Sequence, residues 1–75
     1  MICIVRIDWD PEAHVYVATS DDVPGLATEH ESADALIQKV MELVPELLLL
    51  NRRPQASKVR FEVKRDESLP LASAA

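Results

Sequence analysis

Glycine, cysteine and aromatic residues are scarce in this sequence. It has one glycine among 75 residues, which excludes phosphate-binding loops and dinucleotide fingerprints because each needs several glycines. Its one cysteine, Cys3, excludes an internal disulfide, and the apolar neighbours of this residue predict a buried structural thiol. The hydrophobic runs are too short for a secretory signal or a membrane span. An unpaired cysteine without a signal peptide predicts a cytoplasmic protein.

Small size and uneven charge shape the expectations about partners. A chain of this length forms one small domain that buries only about 60% of its unfolded surface. With no disulfide to stabilise such a core, we expect the chain to form homo-oligomers, as dimers or higher assemblies. Residues 1–50 carry ten acidic and two basic side chains, whereas residues 51–75 carry six basic and three acidic ones. The acidic body favours a basic partner or a solvated surface over simple nucleic-acid binding.

Hydrophobic periodicity predicts four strands and one helix. Alternating apolar residues indicate strands, and apolar residues recurring at helical spacing indicate the helix. The predicted elements are strands at Ile2–Trp9, His14–Ser20, Leu26–Glu29 and Ser57–Arg65, and a helix at Ala33–Leu50 with Ser32 as its N-cap. The order β-β-β-α-β predicts the α+β class, as an antiparallel meander packed by one long helix. Residues 1–65 form the predicted domain, and residues 66–75 are predicted to be a flexible tail.

The segment Val15–Leu26 joins the second strand to the rest of the fold. It ends at Pro24-Gly25, which contains the only glycine of the chain. Proline fixes φ near −65° and glycine tolerates positive φ, so the pair predicts the centre of a type II turn. We expect this turn to direct the chain toward the helix.

The C-terminal half of the predicted helix is apolar on nearly every side. Pro45 lies within it, so the helix either kinks there or stops near Leu43 and restarts. A helix on one side of a sheet needs a single apolar stripe, and a wider one must be covered by something more. We interpret this surplus as a homo-oligomer interface, with a core filled by the last strand as the alternative. The predicted interface residues are Leu43, Leu47, Leu48, Leu49 and Leu50.

Two charged clusters leave alternatives open. Clustered carboxylates could hold Mg²⁺ for a nuclease-like reaction. The candidates are Asp8, Asp10 and Glu12 near the first predicted hairpin, and Asp21 and Asp22 at the corner. Acidic residues are also ordinary in turns, and we favour that interpretation. The last strand is basic at Lys58 and Arg60, which leaves nucleic-acid binding as a further alternative to a solvated strand face. We predict no catalytic residue, no metal and no cofactor.

Several short motifs together resemble the HicB-like domain family. They are Tyr16-Val17-Ala18, the corner Asp22-Val23-Pro24-Gly25, Thr28, and Ser32 opening a helix with Ala35 and Leu36. Trp9-Asp10-Pro11-Glu12-Ala13, the run Val17–Asp22 and Val44-Pro45-Glu46-Leu47-Leu48 look like a small bacterial family of uncharacterised proteins related to HicB. The resemblance covers about residues 2–65.

The resemblance implies a truncated ribonuclease-H-like fold without the catalytic carboxylates of the nuclease. Better-known members of that family are antitoxins that bind HicA, a small basic toxin that cleaves RNA, and carry a C-terminal DNA-binding segment. We expect a non-catalytic interaction module without that segment, because about ten residues follow the last strand. The residues expected to contact a basic toxin are Asp21, Asp22, Glu29 and Glu31. DNA binding and membrane association are not expected.

Overall fold

The computed structural model describes residues 1–63. Its elements are β1 (Ile2–Asp10), β2 (Val15–Thr19), β3 (Ala27–His30), α1 (Ala33–Leu50) and β4 (Lys58–Val63). The α+β class and the order β-β-β-α-β are confirmed. The helix has the predicted bounds, and the strands differ from the prediction by one residue at most of their ends. The predicted end of the last strand, at Lys64 and Arg65, and the predicted tail at 66–75 lie outside the described residues.

The four strands form one sheet in the order β3-β2-β1-β4. The meander is antiparallel as predicted, because β1 pairs with β2 and β2 with β3 in antiparallel fashion. β4 pairs with β1 in parallel, so the whole sheet is mixed. A parallel neighbour requires a long crossover, and α1 provides it by carrying the chain back across the sheet. β3 and β4 consequently become the two edges.

The core lies between one face of the sheet and one stripe of α1. The helix buries Leu36, Val40, Val44 and Leu48, which recur every four residues. On β1 the alternate residues Cys3, Val5 and Ile7 face the helix, and all three are buried. The helix-facing residues of β4 are less well covered. Val59 and Phe61 are only partly buried, and Val63 is 66% exposed, because α1 packs mainly over β2 and β3.

Both ends of the helix are capped by the chain itself. Ser32 is the N-cap as predicted, and its hydroxyl accepts a hydrogen bond from the Ala35 N–H at 3.3 Å. At the C-terminus Arg52 adopts φ of 55°. Its N–H donates to the Leu49 carbonyl, and the Arg53 N–H donates to the Leu48 carbonyl. This is the Schellman pattern, with Asn51 as the C-cap and Arg52 at C′.

Pro45 does not divide the helix. Ala33–Leu50 is one continuous α-helix that contains Pro45, so the interpretation in which the helix stops near Leu43 and restarts is wrong. The Pro45 carbonyl accepts a hydrogen bond from the Gln55 side chain at 3.0 Å, which ties the following loop to the helix. No helix within residues 1–63 has the length and apolarity needed to cross a membrane.

Candidate functional site

The corner after β2 completes the hydrogen bonding of β1. β2 ends at Thr19, opposite Arg6, so Ile4 has no strand partner on that side. The Ser20 hydroxyl donates to the Ile4 carbonyl at 2.6 Å, and the Asp22 carboxylate accepts from the Ile4 N–H at 2.8 Å. These two side chains replace the missing strand residue, since backbone polar groups that lose water need another partner. Asp22 therefore has a structural role.

The next residues form the predicted type II turn. The Leu26 N–H donates to the Val23 carbonyl at 3.1 Å, and Gly25 has φ of +85°, which is the value for the third residue of such a turn. The Asn51 side chain donates to the Pro24 carbonyl at 3.3 Å and to the Leu47 carbonyl at 2.7 Å. The C-terminus of α1 is thereby attached to the corner, which holds the corner in a fixed position.

The four acids expected to contact a partner fall into two separate places. Asp21 is exposed at the corner and makes one 3.6 Å ion pair with Arg6, of the exposed kind that contributes little stability. Glu29 is exposed on β3, and Glu31 is exposed between β3 and α1. β3 starts near the corner and runs away from it, and four residues of strand span about 13 Å. The structure therefore groups Glu29 with Glu31 and separates both from the corner.

An aromatic row was missed in the sequence and crosses three strands at the far end of the sheet. Trp9 pairs with Tyr16, and Tyr16 pairs with His30, so the three rings are neighbours on the helix-facing side. The Trp9 and Tyr16 ring centroids are 4.8 Å apart, and His14 meets Trp9 edge-on at 6.1 Å. The three residues of the row are half-buried. The register of the predicted hairpin could have revealed the first pair, because Trp9 and Tyr16 flank its loop symmetrically.

The five leucines assigned to an oligomer interface divide into three groups. Leu48 is fully buried in the core of its own chain, so its assignment to an interface is wrong. Leu43 and Leu47 are half-buried against the same core, and Leu47 lies beside Gly25. Leu49 and Leu50 are 74% and 77% exposed. The interface prediction therefore remains for the last two residues, and the core alternative describes Leu48.

Of the carboxylates near the first hairpin, Asp10 has an ordinary structural role. The Asp10 carboxylate accepts hydrogen bonds from the Glu12 and Ala13 N–H groups, as expected for an Asx-type turn. Asp8 lines an open cavity of about 530 Å³ at the end of β1 and β4, together with Arg6, Glu62 and Val63. Within residues 1–63, no three His, Cys, Asp or Glu side chains are grouped closely enough to hold a metal ion.

Cys3 and the basic strand complete the set of predicted chemical groups. Cys3 is fully buried, as predicted for a structural thiol. Burial raises the pKa of the Cys3 thiol, and the nearby Asp22 charge raises this pKa further, so the thiol stays protonated at neutral pH. Lys58 and Arg60 are exposed on β4, on the sheet face opposite the half-buried Phe61.

Comparison with known proteins gives a family and a similar solved structure. The family model described as "Domain of unknown function (DUF1902)" matches residues 2–72. The chain is also similar to a hypothetical protein from the extremely thermophilic bacterium Thermus thermophilus, whose crystal structure superposes with a TM-score of 0.80. The two sequences are 43% identical over 88% of this chain and 96% of that one. No curated protein matches the chain. Because the family model spans nearly the whole sequence, the chain belongs to the DUF1902 family.

Proposed function

We propose that this protein is a non-catalytic interaction module of the HicB antitoxin type, which binds a small basic protein and associates with itself. The family and the similar structure assign no activity, so the proposal depends on the surface of the chain. It also depends on the resemblance of the Val15–Leu26 segment to the HicB-like corner.

The aromatic row beside exposed carboxylates carries the proposal. Tyr and Trp are enriched among the residues that dominate binding energy at protein interfaces. Trp9 and Tyr16 are half-buried on a rigid hairpin, so they can contact a partner with little further loss of side-chain freedom. Glu31 directly follows His30 of the row, and Glu29 lies on the same edge strand. Because side chains alternate along a strand, Glu29 lies on the sheet face opposite the row, so this combination offers an apolar row with acidic residues at the edge beside it.

The proposed mechanism is steric. A basic toxin that cleaves RNA must present a positively charged surface to its substrate. The acidic residues of this chain would attract that surface and raise the association rate, and the aromatic row would then provide contact area. Bound in this way, the chain would cover the surface that RNA needs. Asp21 would add to the attraction from the corner, whereas Asp22 already accepts a hydrogen bond from Ile4.

Self-association is the second part of the proposal. Leu49 and Leu50 leave an exposed apolar surface at the end of α1. Isolated exposed leucines are common, but two in succession close to the half-buried Leu47 favour contact with another chain. Oligomers would also stabilise a core as small as this one.

A binding experiment with the product of the neighbouring reading frame tests the partner function. If that product is small and basic, calorimetry on the two purified full-length proteins is expected to show a complex, and the complex is expected to block RNA cleavage. Glu31→Lys is expected to weaken binding by roughly tenfold. Glu46→Lys makes the same charge change on an exposed part of α1 and is the matched control. A chain that is purified at native expression as a clean self-complex, with no bound partner, would contradict the antitoxin mechanism.

A further inference from the structure

The two edges of the sheet differ in how they are closed. β3 is four residues long, and the Lys39 ammonium of α1 donates a hydrogen bond to the Glu29 carbonyl on it at 3.3 Å. β4 is six residues long and contains no proline. Among the described residues, no strand pairs with its outer side. An edge of this kind presents unpaired N–H and C=O groups that can accept another strand.

The hydrogen bonds of β1 show which β4 groups face outward. The N–H and C=O of Ile4 point to the β2 side, where they meet Asp22 and Ser20. Backbone groups of successive strand residues point in opposite directions, so those of Cys3, Val5 and Ile7 point toward β4.

In a parallel ladder, a residue bonds to the two residues that flank its register partner. The partners of Cys3 and Val5 are Val59 and Phe61, so the bonds from β1 go to the alternate residues of β4. The residues that bond to β1 are Lys58, Arg60 and Glu62. The residues with outward-facing N–H and C=O groups are Val59, Phe61 and Val63.

We propose that β4 pairs antiparallel with β4 of a second copy of this chain, with Phe61 opposite Phe61 of the second copy. The sheet of each subunit would then continue into the other across a two-fold axis. The inference rests on the self-association in the proposed function, and it assigns that association to a surface other than Leu49 and Leu50.

Among the described residues, charge and hydrogen bonding favour this register. With Phe61 on the two-fold axis, all three outward-facing residues find hydrogen-bonded partners, because Val59 lies opposite Val63 of the second copy. Arg60 lies opposite Glu62 of the second copy, and the symmetry makes this attraction twice. These are non-hydrogen-bonded pairs, in which side chains approach most closely.

Each neighbouring register is worse. Moving the axis to Arg60 pairs Lys58 with Glu62 of the second copy but places the two Arg60 guanidinium groups opposite each other, and moving it to Glu62 places two carboxylates opposite each other. The shift to Arg60 also leaves Val63 without a strand partner, because it would lie opposite Ser57, which precedes β4. A shift by a single residue would mix the helix-facing and solvent-facing sides of the sheet.

The proposed pairing also covers apolar surface on the helix-facing side. Val63 is 66% exposed and Phe61 is half-buried. In the dimer each Val63 packs beside Val59 of the second copy, and the two Phe61 rings meet at the axis. Burial of these side chains adds to the backbone bonds.

A charge-exchange experiment tests the register directly. Positions 60 and 62 lie opposite each other in the proposed dimer. Arg60→Glu gives a strand with acidic residues at both positions, and Glu62→Arg gives a strand with basic residues at both. Each variant alone would place like charges opposite each other and weaken the dimer roughly tenfold or more. An equimolar mixture would pair acids with bases and restore association. The masses of the full-length chains are read by sedimentation equilibrium, against 8.4 kDa for the monomer, and Glu46→Arg is the matched control.

The outcomes separate this inference from the proposed function. We expect the wild type and Glu46→Arg to be dimers and each β4 variant to be a monomer. We expect the mixture of the two β4 variants to form dimers again. Variants that remain dimeric, or a mixture that stays monomeric, would overturn the β4 interface. In that case, dissociation by Leu49→Glu would still support self-association through the helix end. Binding to the basic partner is measured separately and does not depend on either result.

A second variant tests the same interface if a charge change prevents folding. Val63→Pro removes an N–H that faces outward in the monomer, and proline is tolerated at edge positions whose N–H faces solvent. It is expected to dissociate the dimer while circular dichroism stays that of the folded chain. A folded Val63→Pro variant with unchanged mass would overturn the proposal.

Discussion

The β3 and β4 sides of the sheet differ in how far the rest of the chain covers them. On the β3 side, α1 covers the strands and Lys39 occupies an edge carbonyl. Side chains of the corner close the gap at Ile4, where β2 has ended. On the β4 side, Val63 is exposed and an edge of six residues faces outward. On the first side the chain itself bonds an edge carbonyl and the backbone groups of Ile4, whereas the second side has a full row of outward-facing groups available for association.

Charge follows the same division. The described basic residues after the helix include Lys58 and Arg60 on β4, whereas Glu29 and Glu31 mark the β3 side. A basic partner is therefore expected at β3 and the aromatic row, and a second copy of the chain at β4. The two proposed contacts lie at opposite edges of one sheet and can form together.

The largest expected effect is in the core beneath α1. Leu48→Ala should lower the free energy of unfolding by about 2–5 kcal/mol, because it removes a fully buried side chain and leaves a cavity. Leu49→Ala, next in sequence but 74% exposed, should change it by less than about 0.5 kcal/mol. Urea denaturation at low protein concentration measures both, since association then contributes least. Equal losses in the two variants would contradict the assignment of Leu48 to the core.

The next effect is at the corner. Asp22→Ala should cost about 1–3 kcal/mol, because the partly buried N–H of Ile4 loses its acceptor. Asp22→Asn keeps an acceptor oxygen and should cost less. Asp21→Ala is the control, since this side chain is 90% exposed. Chemical denaturation of the three variants ranks them, and a cost of Asp21→Ala as large as that of Asp22→Ala would show that the corner is not closed by Asp22.

A smaller effect is expected at the turn. Gly25→Ala should destabilise the chain by about 1–2 kcal/mol, because φ of +85° is unfavourable for a residue with a Cβ. An added Cβ would lie 3.5 Å from a Leu47 methyl, which is ordinary contact, so the cost comes from the backbone. Gly25→Asn, which tolerates positive φ better, should recover part of the loss in a thermal melt. The same loss in both variants would indicate a steric cause.

The smallest effect is at the β3 edge. Lys39→Ala should lower the free energy of unfolding by less than about 1 kcal/mol, because its hydrogen bond to the Glu29 carbonyl is exposed. Lys39→Arg keeps a donor and is the control. A higher oligomer mass of Lys39→Ala in light scattering would show that opening this edge creates a second pairing surface. An unchanged mass would show that the shortness of β3 is sufficient protection.

Local signals in the sequence predicted much of the fold. Ser32 marked the helix start because its hydroxyl can accept an N–H of the first turn, and this N-cap is confirmed. Gly25 marked the turn because few other residues adopt its φ. Alternation alone placed Cys3, Val5 and Ile7 on one face of their strand, and all three are buried.

Long-range packing could not be predicted in the same way. Nothing in the pattern around Pro45 shows whether a helix continues, since that depends on tertiary packing. Leu48 and Leu49 are the same residue type, and only the position of the sheet places Leu48 in the core and Leu49 on the surface. The role of Asp22 was also hidden, because it accepts from Ile4, 18 residues away. The aromatic row required the register of three strands.

Amide hydrogen exchange of β4 tests the central claim, that one side of the sheet is closed by the fold and the other by a second copy. The account predicts that the N–H groups of Val59, Phe61 and Val63 exchange fast in dilute full-length protein and at least roughly tenfold more slowly at concentrations where the dimer forms. The Ile4 N–H should be protected at both concentrations. Equal protection of the three β4 amides at every concentration, or fast exchange at Ile4, would contradict the account.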